Sequence, residues 1–356
     1  MPDPANILQD LIDTVKEAND LCRPLRIIGG ETKAFYGRAV EGRRLSVAKY
    51  QGIVAYEPTE LVLTARAGTR LTEIEEVLAA QGQMLAFEPP HFGVTATLGG
   101  MVAAGLSGPR RPYVGAVRDF ILGVKCLTGA EQIVSFGGQV MKNVAGFDVS
   151  RLMAGALGTL GVLLEISLKV LPAPEHELTL QREATAQEAI AFMNRWAGQS
   201  LPLSAACHDG ARLYLRLSGT YRGVMAASAK IGGERFTDGA IFWRDLREHR
   251  LAFFAPEQPP LWRLSMPPAT PPLALAEEQL VDWGGAQRWL RSHTAPELIR
   301  QAARDKGGHA LVFRGGDRQA EVFSPLSPAL EQMHRRLKQA FDPHWSFNPG
   351  RMYSYL

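Results

Sequence analysis

Glycine recurs at short intervals through residues 93–171, a stretch that is otherwise apolar and free of low-complexity sequence. The glycines lie between strand-like runs, of which Phe120–Leu127 and Gly161–Val170 are the clearest. The recurring positions are Gly99, Gly100, Gly105, Gly108, Gly115, Gly123, Gly155, Gly158 and Gly161.

Two interpretations fit this density of glycine. Glycine allows backbone conformations with positive φ and lets another group approach the main chain closely. The pattern therefore predicts a layered fold in which loops and backbone amides face a ligand that carries phosphate. In the alternative, the glycines mark turns in an ordinary α+β domain, because single glycine-rich loops are weak signals of binding. Composition alone leaves both interpretations open.

Length and charge narrow the class of protein. A chain of 356 residues is long for one domain, and its 46% of apolar residues suffices for a sizeable core, so two domains are expected. The 39 basic and 36 acidic side chains are interspersed and leave a net charge of +3. Because no long basic run is present, the sequence gives no indication of binding to nucleic acid.

Cysteine usage and the first residues bear on compartment and metal binding. Cys22, Cys126 and Cys207 have no zinc or iron–sulfur ligand spacing, and their sparse, odd number is typical of a reducing compartment. Residues 1–15 combine acidic side chains with an amphipathic pattern, unlike a signal peptide. No apolar run reaches the roughly 18 residues of a membrane span. We therefore expect no metal site, no transmembrane segment and a cytoplasmic location.

Hydrophobic periodicity and capping signals predict alternating helices and strands. Helices are predicted at 4–20, from Leu71 to Gly82, at 185–196, at 223–231, and after Ser327, where Leu330, Met333, Leu337 and Phe341 share one face. Strands are predicted at 24–28, 60–67, 84–87, 120–127, 161–170, 211–218, within 261–267, and at 309–313. The character of the sequence changes after Pro172–Pro174.

Three segments in a fixed order carry a specific resemblance: TLGGMVAAGLSGP, YVGAVRDFILG and KNVAGFDVSRLMAGALGTLGVLLEISLKVLP. They closely resemble the FAD-binding domain of the vanillyl-alcohol oxidase / p-cresol methylhydroxylase (PCMH) type, in the branch that contains D-lactate and glycolate dehydrogenases. The resemblance is dense from Pro24 to about Pro172 and returns in SFNPGRMY.

The resemblance implies an α+β fold with three parts. Residues 1–175 are expected to form a PCMH-type FAD-binding domain of two α+β subdomains, with the cofactor between them. Residues 176–326 are expected to form a smaller antiparallel α+β cap domain. Residues 327–356 are expected to form a C-terminal helix and a tail that return to the FAD domain.

The resemblance also implies where FAD binds. It places a first pyrophosphate loop at Gly29–Lys33, where backbone amides bond phosphate oxygens. Glu31 replaces the family's third glycine and Lys33 its serine; a glutamate there repels phosphate and tolerates positive φ poorly, and Lys33 offsets part of that charge. No histidine occupies this loop, so FAD is expected to bind non-covalently. The implied cofactor-binding residues are Gly29, Gly30, Glu31, Thr32, Lys33, Thr95, Thr97, Leu98, Gly99, Gly100, Gly105, Gly108, Gly158, Thr159, Gly161, Val162 and Asn348.

Further positions carry two interpretations each. His91 either approaches the flavin or is a loop histidine without a role. Arg110–Arg111 either contact phosphate or an acidic substrate, or lie on the solvated surface. Lys142–Asn143 and Asp148 match the family's KNVAGYDL wording, where they either contact the cofactor or shape the loop before a helix.

An absence informs the expected function. Relatives in the D-lactate and glycolate branch carry a histidine-rich cap motif of the form HGDGNxH, because their chemistry needs a base for the hydroxyl proton while hydride passes to the flavin. None of the eight histidines here has that spacing, so no catalytic residue is assigned. The resemblance then implies an FAD-binding subunit of a multi-subunit glycolate (2-hydroxy-acid) dehydrogenase, which supports oxidation of glycolate to glyoxylate.

In this interpretation the substrate is oxidised on a related catalytic FAD subunit, and electrons pass toward an iron–sulfur subunit and a membrane quinone. The chain would be cytoplasmic, with peripheral attachment to the inner face of the membrane through its partners. Two alternatives stay open. One is a self-sufficient FAD-dependent 2-hydroxy-acid dehydrogenase, and the other is a cofactor-free structural subunit, which Glu31 motivates.

Overall fold

The structure, a computed structural model, describes residues 3–138, 149–255, 259–275 and 278–356. The helices in these ranges are α1 (Pro4–Asp20), α2 (Leu71–Ala79), α3 (Leu98–Ala104), α4 (Arg111–Val114), α5 (Val117–Phe120), α6 (Val149–Leu152), α7 (Ala186–Ala197), α8 (Tyr221–Ile231), α9 (Gly239–Arg247), α10 (Pro296–Arg304) and α11 (Pro328–Phe341). The strands are β1 (Leu25–Ile28), β2 (Arg43–Ser46), β3 (Ile53–Glu57), β4 (Val62–Arg66), β5 (Gln83–Met84), β6 (Ile121–Leu127), β7 (Ile133–Gly137), β8 (Val162–Lys169), β9 (Leu171–Pro172), β10 (His176–Glu183), β11 (Leu203–His208), β12 (Arg212–Gly219), β13 (Glu234–Arg235), β14 (Leu261–Ser265), β15 (Gln279–Asp282), β16 (Gln287–Arg291) and β17 (His309–Arg314).

The described residues of the first half of the chain form three sheets around one core, and the smallest of these sheets pairs β5 with β9. β1 and β2 pair in parallel, and an antiparallel sheet follows the order β3-β4-β8-β6-β7. Helix α2 buries Leu71, Ile74 and Leu78 completely against this core, because these residues recur at helical spacing on one face. The hydrophobic cluster that results also includes residues of α1, α3 and β8.

The second half forms an antiparallel sheet in the order β13-β10-β12-β11-β15-β16-β14-β17. The sequence predicted only three of its strands, those near β12, β14 and β17. Strand β11 was missed because all six of its residues are buried, so it lacks the polar–apolar alternation of a half-exposed strand. Strand β16 is likewise buried at every position, although it carries glutamine and arginine side chains.

The helix before the tail returns to the first core, but its apolar face is only half covered. Leu337 and Phe341 pack against the core, whereas Leu330 and Met333 are 46% and 57% exposed. The predicted helix is thus present, but only the second half of its apolar face is covered. Beyond the helix, Phe347 pairs in parallel with Leu25 at the start of β1.

The other predicted elements match within a few residues, with one exception. The extended segment predicted at 84–87 forms strand only at Gln83–Met84, and the buried residues Leu85 and Phe87 continue in a turn. The capping box at Thr185 and Glu188 is present. The α+β class is confirmed. Within the described ranges, no helix combines the length and apolar character that a bilayer crossing requires.

Candidate functional site

An open cleft lies where β1 ends, between α3 and the turn that precedes β8. It consists of two adjoining cavities with empty volumes of about 670 and 490 Å³, within the size range of ligand pockets in proteins. Gly29, Gly100 and Asn348 line both cavities. The first cavity extends along residues 29–33, and the second extends to Gly158 and Gly161. The sequence-predicted loops therefore meet in one place.

The loop after β1 presents a row of free backbone amides to the first cavity. In the described residues, the N–H groups of Gly29, Gly30, Glu31, Thr32 and Lys33 have no hydrogen-bond acceptor. Glycine is required at the first two positions, because a Cβ atom would clash with the Thr97 hydroxyl or with the Thr95 carbonyl. Consecutive unpaired amides form a concave site that favours an anion.

Glu31 adopts the left-handed conformation of the glycine that it replaces, with φ at 55°. Its carboxylate is held by two guanidinium groups, with Arg26 at 2.7 Å and Arg44 at 2.5 Å. The two guanidinium groups thus neutralise the single carboxylate at this corner of the cleft. The repulsion of phosphate expected from the sequence is offset by these arginines.

Two further cations line the first cavity. The Lys33 ammonium donates to the His91 carbonyl at 3.1 Å, and burial lowers the pKa of Lys33 to about 8. Arg351 donates to the carbonyls of Arg38 and Ala34 at 2.8 and 3.0 Å. Burial, followed by the nearby guanidinium groups, lowers the pKa of Arg351 to about 10, so it stays cationic at neutral pH. Sequence analysis missed Arg351, although it follows directly on the NPG motif that was noticed.

The glycines at the start of α3 have different roles. A Cβ atom at Gly99 would lie 2.8 Å from the Ala67 Cβ atom, so Gly99 is needed for packing of the helix on the sheet. At Gly100 a Cβ atom would meet only the Thr97 hydroxyl, at 3.2 Å, and would otherwise point into the cleft. Thr97 caps the helix by accepting the Gly100 N–H at 3.3 Å.

Asn348 joins three parts of the cleft wall through its side chain. Its amide oxygen accepts the Ile27 N–H at 2.7 Å, and its amide nitrogen donates to the Leu157 carbonyl at 2.7 Å. The residue is buried and has positive φ, at 41°. Asn348 therefore fixes the end of β1 against the turn that contains Gly158 and Gly161.

Six predicted residues lie outside the walls of both cavities. Thr95 supports the loop by donating to the Gly30 carbonyl at 2.7 Å, and Thr159 lies behind the turn, with its hydroxyl bonded to Ala156. The others are Leu98 and Val162, which are fully buried, Gly105, which ends α3, and Gly108, which lines another cavity. These residues shape the cleft from behind.

The positions with two interpretations are placed as follows. The His91 ring contacts Glu75 at 3.1 Å, and the backbone N–H of His91 donates to the Glu248 carboxylate. His91 therefore joins the two halves of the molecule and does not line the cleft. Arg110 is 5% exposed and pairs with Glu88 and Glu177, so the prediction of a surface side chain is wrong for it.

Arg111 stacks over the Trp283 ring, with its guanidinium carbon 4.3 Å from the ring centre. Lys142, Asn143 and Asp148 lie outside the described residues.

A second chamber, of about 340 Å³, lies between the two halves and shares no lining residue with the cleft. Its polar walls include Arg263, His249, Asp282 and Gln287. Burial raises the pKa of Asp282 to about 7, and burial together with neighbouring arginines holds the pKa of His249 well below its usual value. Sequence analysis missed this group because its members come from three strands and the segment that follows α9. Within the described ranges, no three His, Cys, Asp or Glu side chains are grouped so as to hold a metal ion.

Comparisons with known proteins bear on the cleft and on the whole chain. Residues 5–137 match the model of a family described as an FAD binding domain. This range contains the loop of free amides and α3. A solved structure of alkyldihydroxyacetonephosphate synthase superposes with a TM-score of 0.65 at 16% identity, covering 96% of this chain and 75% of that one. The predicted architecture, an FAD-binding domain with a cap, is thereby confirmed.

Two relatives match only part of this chain. D-lactate dehydrogenase of Anaerostipes hadrus is 30% identical over 49% of this chain, and the match covers 37% of that protein. Glycolate oxidase subunit GlcD of Bacillus subtilis (strain 168) is 32% identical over 33% of this chain, which spans 25% of that subunit.

One relative matches along nearly the whole length. Glycolate oxidase subunit GlcE of Escherichia coli (strain K12) is 51% identical over 98% of this chain and 98% of its own length. Identity at this level over 98% of both chains shows the family to which this chain belongs. The chain is a member of the GlcE family.

Proposed function

We propose that the chain is the FAD-binding subunit of a multi-subunit glycolate (2-hydroxy-acid) dehydrogenase that oxidises glycolate to glyoxylate. The observation that carries the proposal is the row of five unpaired amides at Gly29–Lys33, which faces a cleft of cofactor size. This observation agrees with the 51% identity to a glycolate oxidase subunit.

The residues of the cleft fit FAD. Gly29–Lys33 would hold the pyrophosphate through backbone amides, and Arg351 would supply positive charge beside it. Gly100, Gly158 and Gly161 would lie against the cofactor where side chains leave room, and Asn348 would fix the wall. When bound, FAD supplies an acceptor for two electrons from a carbinol carbon.

The proposed division of the chain follows from this assignment. Residues 1–175 form the FAD-binding domain, 176–326 the cap and 327–356 the returning helix and tail. The hydrogen bonds of Asn348 to Ile27 and Leu157 support the third boundary, because they attach the tail to the cleft wall.

We further propose that substrate is oxidised on a related catalytic FAD subunit. Electrons then pass toward an iron–sulfur subunit and a quinone, with the assembly at the inner face of the cytoplasmic membrane. Support comes from the cap, where the described residues contain no group of metal-ligating side chains.

FAD is expected to bind without a covalent link, because no histidine or cysteine lines the described walls of the cleft. Acid precipitation of the purified chain should therefore release all yellow colour to the supernatant. Flavin that stays with the pellet after washing in denaturant would contradict non-covalent binding. A colourless chain that also fails to bind added FAD would instead favour a cofactor-free structural subunit.

Replacing Glu31 by glycine should tighten FAD binding. The substitution removes a carboxylate beside the amide row and supplies the residue that tolerates φ of 55°. It also frees Arg26 and Arg44 from their ion pairs, which are partly exposed and contribute little to stability. We expect an affinity gain of about three- to tenfold, equivalent to roughly 0.7–1.4 kcal/mol, in a fluorescence titration. An affinity that falls would mean that the carboxylate orders the loop.

A self-sufficient 2-hydroxy-acid dehydrogenase is the second candidate. It is favoured by the interdomain chamber, where Arg263 offers a cation for a carboxylate and Asp282 a carboxyl group that titrates near neutrality. The two candidates differ in whether substrate alone reduces flavin on the isolated chain.

A further inference from the structure

Lys338 is a buried cation behind the cofactor cleft. It lies in α11, is 1% exposed and donates three hydrogen bonds: to the Thr159 carbonyl at 2.8 Å, to an Asp342 carboxylate oxygen at 2.7 Å and to the Phe347 carbonyl at 2.7 Å. An ammonium group has three hydrogens, so every donor is used. The three acceptors belong to three different segments.

Two of these acceptors lie directly behind the cleft wall. Thr159 sits between Gly158 and Gly161, which line the second cavity. Phe347 precedes Asn348, which lines both cavities and bonds the end of β1. A single ammonium group therefore joins the turn to the tail, two adjacent parts of the cleft wall that also meet where Asn348 bonds Leu157.

A gain in folding stability alone is a weak explanation for the burial of Lys338 and Asp342. Transfer of two charges out of water is costly, and apolar replacement of a buried pair is often neutral or stabilising. Asp342 is fully buried and also accepts the Phe347 N–H at 2.8 Å, so the pair has well-defined geometry. Such a pair is more effective at fixing the relative position of segments than at raising the free energy of unfolding.

We propose that Lys338 is a positioning residue for the cofactor. It holds the Gly158–Gly161 turn and Asn348 together in the arrangement that the adenosine half of FAD needs. The proposal rests on the proposed function, because it takes the second cavity as the adenosine side of the site. Lys338 itself does not line either cavity.

The test compares two variants, both of which lack the carboxylate of Asp342. Asp342→Asn keeps the Lys338 side chain and its bonds to the Thr159 and Phe347 carbonyls, but it removes the anionic partner of Lys338, a loss that the unfolding temperature registers. Lys338→Met/Asp342→Asn removes those bonds without leaving an unpaired buried charge. Flavin-free protein of each kind, and of wild type, is titrated with FAD, ADP and FMN by calorimetry at 10 °C. Thermal unfolding without ligand is measured in parallel.

We expect Asp342→Asn to bind all three ligands within about threefold of wild type. The double variant should bind FAD and ADP at least tenfold more weakly, yet bind FMN, which lacks adenosine, within twofold. Equal weakening of all three ligands, or of none, would overturn the positioning role. Failure of wild type to bind FAD would instead remove the proposed function.

A double variant that does not fold is replaced by Lys338→Gln/Asp342→Asn. Glutamine donates at most two of the three bonds, so ADP affinity should fall by a smaller factor while FMN affinity holds. ADP affinity equal to that of Asp342→Asn would overturn the proposal in this variant too.

Discussion

Replacing Gly100 by valine is expected to abolish FAD binding while the protein stays folded. The new side chain would start in close contact with the Thr97 hydroxyl, at 3.2 Å, and would fill a part of the cleft that both cavities share. We expect an affinity loss on the order of 100-fold or more, about 2.8 kcal/mol, in a titration of the flavin-free chain. Circular dichroism and thermal unfolding should remain close to those of wild type.

The chain offers a closely matched control in Gly223→Val. Gly223 occupies the same position in α8, where Thr220 caps the helix by accepting its N–H at 3.2 Å and where a Cβ atom would meet the Thr220 hydroxyl at 3.1 Å. It is exposed on the cap, far from the cleft in sequence. Gly223→Val should keep wild-type FAD affinity. Full FAD affinity in folded Gly100→Val would make Gly100 a structural residue only.

Gly99→Val should behave differently from both. Because a Cβ atom there would lie 2.8 Å from Ala67, the variant is expected to lose stability first and cofactor second. A drop in unfolding temperature of the flavin-free protein separates this effect from direct exclusion of the cofactor.

Glycolate or D-lactate should not reduce the flavin of the isolated chain at a useful rate. Oxidation of a hydroxy acid needs a proton acceptor beside the carbinol and a cation for the carboxylate. The candidate groups Arg263 and Asp282 occupy a chamber that shares no lining residue with the cofactor cleft. Anaerobic mixing followed at the flavin absorption band should thus give no bleaching until the catalytic and iron–sulfur partners are added.

Rapid bleaching by substrate without partners would promote the self-sufficient enzyme. In that case Asp282→Asn provides the next comparison, because it removes the group that titrates near neutrality. A rate that falls only with this variant would assign the chemistry to the chamber, whereas an unchanged rate would exclude Asp282 as the proton acceptor.

The parts of the cleft made by local sequence were predictable. The loop at Gly29–Lys33 and the turn at Gly158–Gly161 are short segments. Their glycines indicate directly that the backbone adopts positive φ or that another group approaches it closely. Arg351 and Lys338 were not predictable in the same way. Arginine and lysine side chains are usually exposed to solvent. Only the packing of distant segments places Arg351 beside the cleft and Lys338 beneath it.

The cap illustrates a different limit. Strands β11 and β16 are covered on both faces, so burial removes the alternation by which strands are recognised. Arg288 in β16 donates to the carbonyls of Gly285 and Thr270, and the Nε2 atom of His208 in β11 donates to the Ala184 carbonyl. Because those acceptors come from tertiary structure, the sequence of the strand alone does not reveal that its polar residues are buried.

The bond between Ile27 and Asn348 has a consequence for biosynthesis. It spans 321 positions, and the entire cap is made between its two ends. At about 5–20 residues per second, a ribosome needs roughly 16–64 s to travel that distance. During this interval the amide loop, α3 and the Gly158–Gly161 turn are already synthesised, while the part of the cleft wall that contains Asn348 and Arg351 does not yet exist. We therefore expect the chain to bind FAD only after translation has passed the cap. A nascent chain whose synthesis stalls within the cap should carry no flavin.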